Sequence, residues 1–83
     1  MDRDQLLDIV KDATVGVLGV DPAAVTPEAN FADDLDADSL ALVEIIMAVE
    51  DALDIQVPEE ELKDITTVGA ALDLLASKVG QAA

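Results

Sequence analysis

Asp34, Asp36, Asp38, Ser39 and Glu44 place one hydroxyl among four carboxylates within the eleven residues DLDADSLALVE. Three aspartates at alternate positions have the spacing of the first EF-hand ligands. The pattern then fails twice. The sharp-turn position, which needs glycine, is Ser39, and the position of the bidentate glutamate is Ile45, with Glu44 one place early. No second loop of this kind occurs in the chain, so no dedicated metal site is expected. An acidic calcium-responsive or protein-interaction module stands as the alternative reading.

A catalytic serine needs a neighbouring base. The chain has no histidine and no cysteine, and Lys11, Lys63 and Lys78 form no motif that would supply one. A Ser-His-Asp arrangement, a thiolate nucleophile and a zinc-thiolate site are all excluded. No catalytic residue is expected.

Two readings of Ser39 remain. One is structural: Asp38-Ser39 is ordinary helix-start chemistry, with the aspartate as N-cap. The other is that Ser39 is an attachment point. A hydroxyl at the first helical position is exposed and close to unpaired backbone N–H groups, which favour a phosphodiester on its oxygen. The aspartates oppose free phosphate but attract a basic enzyme.

The elements that must position this cluster follow from periodicity. The chain has 83 residues, is 52% hydrophobic and contains a single aromatic residue, Phe31. That length suits one domain over residues 1–83 with a small aliphatic core. Leu6, Val10, Ala13 and Val17 repeat at helical spacing, with Leu7 and Thr14 beside them. Asp2 and Gln5 form a capping-box pair, and Gly19 is a stop signal. A long loop follows, pinned by Val20, Val25, Phe31 and Leu35. A second helix is expected over Ser39 to Leu53, with Leu40, Val43, Met47 and Ile46 as its inner stripe. Pro58 opens a short helix. Thr66 or Thr67 caps a last one, in which Val68, Leu72, Leu75 and Val79 face the core and Gly69 costs roughly 1 kcal/mol against alanine. The segment DIQVP is too short for an independent strand. The expected fold is all-α: a small bundle of three main helices plus one short helix, with a long ordered loop between helices one and two.

Charge narrows the partners. The net charge is −15, and residues 32–65 hold twelve acids against Lys63 alone. Such a segment repels nucleic acid and attracts basic protein surfaces. The acidic start MDRDQ is unlike a secretory signal, and no apolar run reaches membrane-spanning length. A cytoplasmic monomer with no membrane or nucleic-acid partner is the expectation.

The stretch DLDADSLALVEIIMAVEDALDIQVPEEELKDITTVGAALDLL resembles acyl carrier proteins of dissociated fatty acid and polyketide synthases. Asp-Ser-Leu, the following Val-Glu pair, VPEEE and ITTVGAA occur in the family's order and spacing. The first helix and the loop with Phe31 also fit, so the likeness spans essentially the whole chain. It selects attachment over simple capping.

The resemblance implies that Ser39 receives 4′-phosphopantetheine from coenzyme A, and that the terminal thiol of this arm carries acyl groups as thioesters. It implies a shuttle to fatty acid or polyketide biosynthesis enzymes, not a catalyst. Partners would be basic surfaces of a phosphopantetheinyl transferase, ketosynthases, acyltransferases, reductases and dehydratases. Asp38, Leu40, Glu44, Met47, Glu50 and Asp51 would dock them, with core packing the competing role for Met47 and plain solvation for Glu50 and Asp51. Val49, Val57, Leu62, Ile65 and Leu72 would surround a sheltered acyl chain, against the plainer reading of all five as bundle core. Ala41 and Leu42 stand where bacterial fatty acid carriers often have an acid and a polar residue. They make the rim near Ser39 more apolar and leave the pathway open.

Overall fold

The computed structural model describes residues 2–82, with the side chains of residues 2–79. Its elements in chain order are α1 (Arg3–Leu18), a 3₁₀ turn (Pro22–Ala24), α2 (Ser39–Leu53), α3 (Glu59–Leu62) and α4 (Val68–Ala82). The expected all-α bundle is present, and the described residues contain no strand, only an isolated bridge between Asn30 and Thr67.

Local chemistry sets the helix ends. Asp2 and Gln5 make the reciprocal capping box, at 2.9 and 3.1 Å, and satisfy two otherwise unpaired donors. Gly19 ends α1 in the left-handed region, φ 70°, where a Cβ would be strained. Asp38 caps α2 through the Ala41 N–H at 2.8 Å. Thr67 Oγ1 accepts from the Ala70 N–H at 3.1 Å, so Thr67, not Thr66, caps α4. Pro58 is the N-cap residue of α3, one position outside the helix it was expected to open, and α3 ends at Leu62.

The core is aliphatic apart from Phe31 and Thr14. α1 packs on both α2 and α4. It contributes Leu6, Val10 and Thr14, while Ala13 and Val17 are only half-buried. Thr14 is fully enclosed because its Oγ1 donates to the Val10 carbonyl at 2.7 Å, leaving no unpaired hydroxyl proton in the core.

The inner face of α2 agrees with the expected one only at Ile46. Ile45 and Val49 are buried beside it, whereas Leu40 is 67% and Met47 58% exposed, and Val43 is half-buried. Almost every residue from Leu40 to Val49 is apolar, so more than one stripe meets the helical period. Tertiary packing, in which α2 lies against α1, buries the stripe through Ile45 and Val49.

The long loop is ordered by its own side chains. Val25, Phe31 and Leu35 are buried as expected, joined by Ala29 and Ala37, while Val20 is half-buried. Asp21 caps the 3₁₀ turn through the Ala23 N–H, with Pro22 in its first position. Two backbone bonds, Phe31 N–H to Thr66 carbonyl (3.0 Å) and Val68 N–H to Ala29 carbonyl (2.9 Å), fasten the loop to the start of α4. Gly69 makes a closer approach: its N–H donates to the Pro27 carbonyl at 2.8 Å, and a Cβ there would lie 2.9 Å from that oxygen. The helix-propensity cost of this glycine is offset by a contact that no longer side chain leaves undisturbed.

Candidate functional site around Ser39

Residues 30–38 form a tight scaffold that delivers Ser39. Asn30 Oδ1 accepts from the N–H groups of Ala32 and Asp33, both at 2.9 Å, and the Asn30 N–H donates to Asp34 Oδ2 at 2.7 Å. The Ala37 N–H returns to the Phe31 carbonyl at 2.7 Å. Asp36 between them adopts φ 57°, a conformation that aspartate tolerates better than most residues. Asp34 is therefore committed to the loop and Asp38 to the α2 cap. Among the described residues, no three acids converge as a metal-holding group, and the alternative calcium reading gains no support.

Ser39 is the first residue of α2 and is exposed. The N–H groups of Ser39 and Leu40 have no protein acceptor among the described residues, as first-turn donors commonly do not. The hydroxyl thus stands at a solvent-facing helix tip with two free donors behind it. Among the described residues no side chain is hydrogen-bonded to it, as a base activating it would be.

Two open grooves meet at Ser39. The larger, about 400 Å³, is lined by Ser39, Leu40, Leu42 and Val43 on α2 and by Glu59, Leu62 and Lys63 opposite. The second, about 270 Å³, runs from Ser39 past Leu42 and Leu62 to Phe31 and Ile65. Leu62 lines both grooves and Ile65 the second. Val49, Val57 and Leu72 are buried in the core and line neither. Sequence reasoning did not assign groove-lining roles to Leu42, Val43 or Lys63. For Leu42 the apolar character of Ala41-Leu42 is a signal, whereas Lys63 is placed there by the fold.

The remaining candidates lie along α2. Leu40, Glu44, Met47 and Asp51 are exposed, and Asp38 is exposed although its carboxylate is engaged as the cap. Glu50 differs, being half-buried, with its Oε2 accepting the Val57 N–H at 2.7 Å. Met47, Glu50 and Asp51 border a further hollow with Asp54, Ile55 and Gln56. Opposite α2, α3 is tied to α4 by Lys78, whose Nζ donates to Glu61 Oε1 at 3.1 Å and lies 3.0 Å from Oε2.

The site combines an exposed hydroxyl, an adjoining apolar groove and an acidic helix face. The family described as "Phosphopantetheine attachment site" matches residues 8–75, a span that includes Ser39 and both grooves. The chain belongs to the acyl carrier protein family. It is 51% identical over 73 residues to an acyl carrier protein of Rubrobacter xylanophilus, covering 88% of this chain and 90% of that one. Acyl carrier proteins of Picosynechococcus sp. and Thermosynechococcus vestitus are 46% and 44% identical over 78 and 79 residues. Those alignments cover 94% and 95% of this chain and 96% and 98% of the relatives. Membership makes the protein a carrier, not a catalyst, with a covalent 4′-phosphopantetheine group. No helix among the described residues is long and apolar enough to cross a membrane.

Proposed function

We propose that residues 1–83 form one carrier domain in which Ser39 Oγ holds the 4′-phosphopantetheine arm, and that the protein delivers acyl groups to fatty acid or polyketide biosynthesis enzymes in the cytoplasm. The observation that carries this reading is the exposed Ser39 hydroxyl at the tip of α2, opening onto a groove walled by Leu40, Leu42, Val43 and Leu62. The chain has no thiol of its own. When bound, the arm supplies one, on which acyl groups ride as thioesters.

The chain's residues fit that group. The Ser39 oxygen is accessible for a bond to the pantetheine phosphorus of coenzyme A. As that bond forms, the anhydride P–O bond breaks, adenosine 3′,5′-bisphosphate leaves, and the serine proton passes to a base of the transferase. The unpaired N–H groups of Ser39 and Leu40 face developing phosphate charge favourably. Asp38 fixes the serine's position by closing the first turn. Apolar walls beside the serine would cover the first part of an acyl chain, with Leu62 and Ile65 leading inward from the tip. Val49, Val57 and Leu72 would be reached only if the core opened.

Docking is assigned to the exposed α2 face: Asp38, Leu40, Glu44, Met47 and Asp51, with Glu50 contributing its free oxygen beside them. Two large apolar side chains standing in water on an acidic helix fit a partner surface with basic residues around an apolar depression. Transferase, ketosynthase, acyltransferase, reductase and dehydratase surfaces of this kind are the proposed partners, met by a monomer.

Incubating the chain with coenzyme A and a phosphopantetheinyl transferase tests the reading. One arm should be added, and Ser39→Ala should abolish the addition. An arm found on the Ser39→Ala variant would remove this serine from the account.

A further inference from the structure

Lys63 is the single basic residue between positions 32 and 65, and it lines both grooves that open at Ser39. Among the described residues the ion pairs are Arg3–Asp73 and Lys78–Glu61, so Lys63 belongs to neither. It is exposed, and no side-chain hydrogen bond within the described residues engages its ammonium. A cation surrounded by twelve acids in sequence, yet committed to none of them, stands across the groove from the α2 tip.

We infer that Lys63 is the counter-cation of the phosphodiester carried on Ser39 Oγ, and that it sets the direction in which the arm leaves the serine. The inference rests on Ser39 being the attachment residue. A phosphodiester adds a permanent negative charge to a segment already at net −11. Asp36, Asp38 and Glu59 around the site repel it, and the first-turn N–H groups offset only part of that repulsion. Lys63 supplies a full positive charge on a flexible four-carbon stem, suited to following a phosphate oxygen that has no fixed partner. Pairing draws the proximal end of the arm toward α3, over Leu62, and away from the exposed side of α2. No bond is made or broken. Lys63 is a positioning residue, and its effect weakens with salt because both charges are exposed.

The test uses the full chain loaded with the arm by a phosphopantetheinyl transferase, with loading verified by intact mass. On loading, the terminal methylene resonances of Lys63 should shift while those of Lys11 and Lys78 stay in place. Nuclear Overhauser contacts should join Lys63 to the geminal methyl groups next to the arm's phosphate. In phosphorus NMR, Lys63→Gln should move the phosphodiester resonance and Lys63→Arg should restore it, with the difference shrinking at high salt. Recording the spectra well below the melting temperature, where unchanged helical circular dichroism shows both variants folded, separates this from a folding effect. A loaded chain whose Lys63 resonances and phosphorus shift are indifferent to each other overturns the inference and leaves the attachment reading intact. A chain that accepts no arm at Ser39 overturns both.

Discussion

The Glu50 carboxylate accepts the Val57 backbone N–H at 2.7 Å, closing the turn between α2 and α3. The Glu50 carbonyl also receives the N–H groups of Asp54 and Ile55 as α2 ends. One residue thus fixes the approach to α3, the element that forms the far wall of the larger groove. Its charge alone suggests a docking acid, but half of its carboxylate is already engaged within the fold.

Glu50→Ala should therefore destabilise the protein by about 1–2 kcal/mol, because the charge-assisted bond is lost and the Val57 donor is left part-buried. Asp51→Asn, at an exposed neighbour, should change stability by less than about 0.5 kcal/mol. Urea unfolding of the two variants decides the matter, and equal effects would deny Glu50 its tethering role.

Asp38 should behave as a cap before it behaves as a charge. Asp38→Ala should cost about 1 kcal/mol, whereas Asp38→Asn keeps an acceptor for the Ala41 N–H and should lose much less. Thermal unfolding checks this, and equal losses for both substitutions would point to the charge instead.

Ile46 and Met47 are adjacent in sequence and opposite in environment. Ile46→Ala should cost about 2–5 kcal/mol through the cavity it leaves. Met47→Ala should stay within about 0.5 kcal/mol while weakening transfer to a partner enzyme. A large stability loss at Met47 would return it to the core.

Self-repulsion should limit stability. With twelve acids and one base in residues 32–65, added monovalent salt should raise the melting temperature by screening exposed charges. A melting temperature indifferent to ionic strength would show that repulsion is not what opposes folding.

Sequence made the helix ends and the position of Ser39 legible because both depend on neighbours three or four residues away. Asp2 with Gln5, Gly19, and Asp38 at the head of α2 each act locally. The inner face of α2 was not legible in the same way. Its apolar residues exceed what one face can bury, and only tertiary packing distinguishes Ile45 from Met47. The 3₁₀ turn has a local signature in Asp21-Pro22, a cap followed by a proline, but three residues are too few for periodicity to separate it from loop. The Gly69 contact with Pro27, the Glu50 tether across the α2–α3 turn and the placement of Lys63 beside Ser39 all join different elements or loops, and no periodicity encodes them. The core positions Val49, Val57 and Leu72 were legible as apolar. Their distance from the grooves at Ser39 depends on tertiary packing.

The central claim is that one hydroxyl at the tip of α2 is the tether. Peptide-mapping mass spectrometry on the protein purified from its native source reads that hydroxyl directly. The peptide spanning Ser39 should carry one phosphopantetheine group, with or without an acyl cargo. A bare Ser39 with the arm on another residue would contradict the account.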